Sequence, residues 1–75
     1  MKAKLRNQLN RQLAQIKDMS LQGWLDEASK IFGDAVEGIY CGREGRIHVE
    51  VGSGLYLTMG WYTVNTPKVE YAYVS

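Results

Sequence analysis

The chain predicts an α+β domain: two N-terminal helices packed on a four-stranded antiparallel β-meander. Three observations carry this. Apolar residues recur at helical spacing before Gly33 and alternate between turn signals after it. Glycine, serine, asparagine and the one proline gather at three places in the second half, where hairpin turns need them. At 75 residues, 45% apolar and 23% charged, the chain is sized for a single folded domain, residues 1–33 its helical part and 34–75 its sheet.

The first helix is expected over residues 3–17. Leu5, Leu9, Leu13 and Ile16 fall within an arc of about 80° on the helical wheel. So narrow a stripe suits a seam along one neighbour, or half of a helix–helix dimer contact. Asp18-Met19-Ser20 interrupts the pattern, and Ser20 is a good N-cap for a second helix over 21–32. That helix has a fuller apolar face (Leu21, Trp24, Leu25, Ala28, Ile31, Phe32), which should lie flat on the sheet. Asp26 and Lys30 can pair on its wet side, and Gly33 reads as a left-handed cap.

Four strands follow, at 35–41, 46–51, 55–64 and 69–74. The expected turns are Gly42-Arg43-Glu44-Gly45, Gly52-Ser53-Gly54 and Asn65-Thr66-Pro67-Lys68. Turn length fixes register, and register assigns each side chain to a face. Pairing Val51 with Leu55 sets Val49 opposite Leu57 and Ile47 opposite Met59. Val36, Gly38 and Tyr40 join that face from the first strand. Pairing Val64 with Val69 adds Trp61, Ala72 and Val74, and this face forms the core with the second helix. The other face then carries Tyr56, Tyr62, Tyr71, Tyr73, His48, Thr58, Ile39, Cys41, Val64 and Val69. Gly60 falls opposite Tyr73, whose ring would cover the missing side chain. Two helices cannot cover both faces. Either the first wraps to the second face, or a tyrosine-rich surface stays exposed.

Composition excludes several function classes. Nine Lys/Arg against eight Asp/Glu leave a net charge of +1, neither a polyanion mimic nor a strongly basic chain. One cysteine permits no intrachain disulfide. The polar residues Asn7, Gln8, Asn10, Arg11, Gln12 and Gln15 follow the basic start, so no signal-peptide core forms. Apolar runs fall far short of the ~20 residues needed to span a bilayer. A cytoplasmic chain with no membrane association is expected.

Catalytic chemistry has little to build on. Cys41 and His48 are a possible nucleophile and base on neighbouring strands, with no orienting group, oxyanion site or cleft. With Glu37 or Glu50 they do not reach metal-ligand spacing. The glycine pairs at 42/45 and 52/54 precede no Lys-Ser/Thr and open no helix, so they are turn residues rather than phosphate cradles. No enzyme, metal or cofactor is expected.

Charge is divided unevenly. Lys2, Lys4, Arg6, Arg11 and Lys17 give residues 1–17 a charge of +5 with no acid, leaving −4 over residues 18–75. A helix-turn-helix reading of residues 3–32 fails on this count. Its second helix would present Gln22, Asp26, Glu27, Ser29 and Lys30, a net acidic surface, to phosphate.

The expectation is therefore a small non-catalytic interaction module that binds a protein partner or itself, as a homodimer. Its contact residues would be Tyr56, Tyr62, Tyr71, Tyr73 and His48 on the sheet, with Leu5 and Leu9 on the first helix, since tyrosine is enriched at interfaces. Size and composition associate such a chain with the accessory or inhibitor proteins of mobile elements. The alternative is a nucleic-acid binder using Lys2, Lys4, Arg6, Arg11 and Lys17 on the Asn/Gln-rich first helix, with the tyrosines as stacking platforms. No small-molecule substrate is evident.

Overall fold

Helix α2 (Leu21–Phe32) is fixed at both ends by its own sequence. At Ser20 the backbone is extended (φ −60°, ψ 156°) and the side-chain hydroxyl accepts a hydrogen bond from Gly23 N at 3.3 Å. Its carbonyl accepts the first helical bond, from Trp24 N at 2.8 Å. Gly33 ends the helix with φ 65° and its N–H bonded to Ser29 O. Its ψ of −142° lies outside the expected left-handed basin, in a region essentially reserved for glycine, and sends the chain into a 3₁₀ turn, Gly33–Val36.

The structure is a computed structural model that describes residues 2–36, 39, 44–63 and 65–75. Within them the fold is α+β: two helices and a three-stranded antiparallel sheet ordered β1-β2-β3. Helix α1 spans Lys2–Gln15, and the strands are β1 (Glu44–Gly52), β2 (Leu55–Thr63) and β3 (Pro67–Val74). The strand expected at 35–41 is not among them. Ala35 and Val36 belong to the 3₁₀ turn, whereas residues 37, 38, 40 and 41 lie outside the described set. Val36 still reaches the core, from a turn rather than a strand. Ile39, expected on the opposite face, packs against the core as well.

The β1–β2 register places Ile47 opposite Met59 and Val49 opposite Leu57, as the alternation predicts. At the turn the expectation fails by one residue. Gly52, not Val51, faces Leu55, and a bulge falls between Glu50 and Gly52. Ser53 (φ 57°) and Gly54 (φ 73°) form a two-residue connection with the paired positive φ angles that match hairpin twist. The extra residue is absorbed by Val51.

Between β2 and β3 the departures are larger. Gly60 faces Tyr71 rather than Tyr73, a shift of two positions that keeps every residue from 71 to 74 on its expected face. A second bulge between Gly60 and Trp61 leaves Glu70 unpaired and sets Val69 opposite Trp61. The bulge inverts the alternation before it, so Val69 is buried in the core, not exposed on the tyrosine face. Pro67 and Lys68 are strand residues, as are Glu44 and Gly45, where turns were expected.

The core consists of Leu13 from α1, Leu21, Trp24 and Ala28 from α2, Val36, and Leu55, Leu57, Met59, Trp61, Val69 and Val74 from the sheet. Trp24 is wholly enclosed, a burial that contributes about 3 kcal/mol. Both helices lie against β3, and the 3₁₀ turn lies against β1. Among the described residues, backbone hydrogen bonding ties the helical part to β3 at two places. Asn10 donates from Nδ2 to Val74 O at 3.0 Å and accepts from Val74 N at 2.7 Å, so its amide pairs the strand as a neighbouring peptide would. At the other end Ser20 forms an isolated antiparallel bridge with Lys68. A left-handed Asp18 (φ 67°), which aspartate tolerates better than most residues, turns the chain between the helices.

Candidate interaction face

The faces of β2 are sorted by strict alternation: Leu55, Leu57, Met59 and Trp61 inward, Tyr56, Thr58, Gly60 and Tyr62 outward. Pairing with β1 and β3 extends the outward residues into rows. His48, Thr58 and Tyr73 make one, Arg46, Gly60 and Tyr71 the next, Glu44, Tyr62 and Lys68 a third. A further row joins Glu50 to Tyr56, which exchanges two 2.9 Å backbone bonds with Ser75. The helices occupy the other side, and α1 runs beside β3 without covering these rings. Tyr56 is 39% exposed, Tyr71 38% and Tyr73 49%; Tyr62 is half-buried. The four tyrosines and His48 therefore share one face.

Local contacts hold the rings. His48 stacks on Tyr56 with centroids 4.9 Å apart and planes within 3°, and its Nδ1 is 2.8 Å from Thr58 Oγ1. Tyr71 and Tyr73 lie 6.3 Å apart at 28°. Tyr71 also covers Gly60: a Cβ there would fall 2.6 Å from its ring. The same device recurs on the inner face, where a Cβ on Gly45 would be driven into the indole of Trp61 opposite. The sequence places Thr58 on this face but not among its contact residues, although the Ile47–Met59 register already sets it across from His48. On this open sheet face the hydroxyl and the imidazole hold one another. Here the bond fixes the ring.

Charges on this face alternate. Glu44, Glu50 and Glu70 stand with Arg46 and Lys68, and a shallow depression of about 330 Å³ around Gly60 is rimmed by Glu44, Arg46, Tyr62 and Tyr71. Beside Tyr71 and Tyr73 a deeper groove of about 380 Å³ opens between α1 and β3, lined also by Leu13, Trp24, Lys17 and Asp18. Among the described residues no three His, Cys, Asp or Glu side chains stand close enough to hold a metal, and no helix is long and apolar enough to cross a membrane. Cys41 lies outside the described residues.

The expected contact leucines of α1 divide. Leu5 is 37% exposed, but Leu9 packs half-buried against the core and is partly used by the fold itself. The cations also separate. Lys4 and Arg11 share an exposed surface with Gln8, Gln12 and Gln15, Arg6 is exposed on another side, and Lys17 lies in the turn after the helix. On α2, Lys30 bonds Glu27 at 3.3 Å rather than the expected Asp26, whose Oδ1 accepts from Gln22 Nε2 at 3.5 Å. Exposed pairs of this kind differ by tenths of a kcal/mol, so spacing alone does not choose between them. Comparison of the chain with family models, with curated proteins and with solved structures finds no match.

Proposed function

We propose that the protein is a non-catalytic interaction module whose tyrosine face docks on another protein chain, a second copy of itself being the first partner to test. The observation that carries this is the exposure of Tyr56, Tyr71 and Tyr73 together on the sheet face opposite the helices. Contiguous exposed rings on a small domain favour a contact surface, and rings braced by stacking lose little freedom on binding. Alternating charge around them suits a protein surface better than phosphate, because the three glutamates of the face oppose a polyanion. A cytoplasmic accessory or inhibitory protein of a mobile element would work through such a surface.

The test uses Tyr56→Ala with Tyr73→Ala, which leaves Tyr71 over Gly60. Light scattering across a concentration series reads self-association, and crosslinking in the source cell reads capture of another chain. The expected result is loss of the dimer or of one defined crosslinked species, with an unchanged circular dichroism spectrum. A monomer whose crosslinks are the same in wild type and variant would overturn the reading.

A further inference from the structure

The first two turns of α1 are built against the requirements of an isolated helix. Residues 3–8 are all exposed, Leu5 the apolar one among them at 37%, and none belongs to the core. The first turn contains no acid, whereas Lys4 and Arg6 place two cations near the positive end of the macrodipole. Helices this lightly supported are marginal in water. Each of these costs is relieved by one kind of neighbour, a polyanion.

The solvent face of the whole helix suits such a neighbour. Leu9, Leu13 and Asn10 dock toward the body. Lys4, Gln8, Arg11, Gln12 and Gln15 form the exposed surface away from it. From Lys4 to Gln15 this surface runs about 17 Å, or roughly five base-pair steps. Arginine and glutamine offer the paired donors and acceptors that match guanine and adenine edges in the major groove, with lysine for phosphate. No acid lies anywhere on α1, while the rest of the chain is net negative. A polyanion would thus attract the helix and repel the body, presenting α1 foremost.

We infer that the outward face of α1 is a site for duplex DNA, entering the major groove with Lys4 and Arg11 on phosphate or guanine and Gln8, Gln12 and Gln15 on base edges. This surface is separate from the tyrosine face. B-form DNA is the specified partner because the deep, narrow major groove of A-form RNA does not admit a helix.

Fluorescence anisotropy of the full chain with a labelled random-sequence DNA duplex tests it, at two salt concentrations, beside an RNA duplex of equal length. Binding that weakens with a log–log salt slope of about −2, one unit for each of the two cations, and that favours DNA over RNA, is expected. Lys4→Gln with Arg11→Gln should reduce that slope by about two and the affinity at least tenfold, whereas Tyr56→Ala with Tyr73→Ala should leave both unchanged. Since both cations are exposed, circular dichroism should show the helices retained. No binding at low salt, equal binding of RNA, or insensitivity to the Lys4/Arg11 change would overturn the inference. So would a dimer that Leu5→Asp dissociates in a chain that binds no DNA, because α1 would then belong to a second copy.

Discussion

Helices α1 and α2 are nearly equal in length, 14 and 12 residues, yet they are held by different means. In α2 a serine cap, a positive-φ glycine and three fully enclosed side chains act together within three turns. Local signals and tertiary burial agree there, so the helix is specified twice over. In α1 one buried leucine, the half-buried Leu9 and one asparagine bridge anchor the second half, and residues 3–8 contribute no buried side chain. The difference separates a helix that builds the core from one that only borrows from it, and it leaves half of α1 free for work.

The largest effect should come from breaking the better-held helix. Trp24→Ala removes a wholly buried indole, and thermal or urea denaturation should show a loss of about 3–5 kcal/mol. Much of a small domain's stability would go with it. Asn10→Ala cuts the bridge that fastens α1 and leaves a half-buried Val74 peptide without its partner, a cost of about 1–2 kcal/mol by the same measurement. Next comes Ser20→Ala, expected to lose about 1 kcal/mol with the cap. Leu5→Ala should cost least, about 0.5–1 kcal/mol, because its side chain is 37% exposed and outside the buried core. Native-state hydrogen exchange sharpens the contrast: amides in the middle of α2 should open only with global unfolding, while residues 3–8 of α1 exchange almost freely. Equal protection of the two segments would show that α1 has a partner even in the isolated protein.

Much of the sheet was legible from alternation. The facing of Ile47 with Met59 and Val49 with Leu57 follows from apolar residues at every second position, and so does the shared face of the tyrosines. Each bulge escaped that reading. A bulge adds one residue without leaving a compositional mark, and its cost is recovered by contacts from elsewhere in the chain. Val69 changed sides because burying it against Trp61 satisfies the core better than unbroken alternation would. The 3₁₀ turn was missed for a related reason: Ala35 and Val36 fit a strand pattern, and only the exit from Gly33 directs them otherwise.

For the candidate sites, residue types were readable and their availability was not. Leu5 and Leu9 sit one turn apart on the same stripe, yet Leu9 packs against the core while Leu5 stays 37% exposed. Likewise the cations of α1 are scattered on a wheel, and only once docking removes the seam side do Lys4 and Arg11 share the open side with three glutamines.

Sequence alone determined the two helices with their capping residues, the parity of β2 and the concentration of positive charge in the first seventeen residues, because each depends on neighbours a few positions away. Tertiary structure decided where the alternation breaks, which tyrosine covers Gly60, and how far along α1 the packing reaches. Those depend on the fit between surfaces distant in the chain, and that fit exists only once the core has closed.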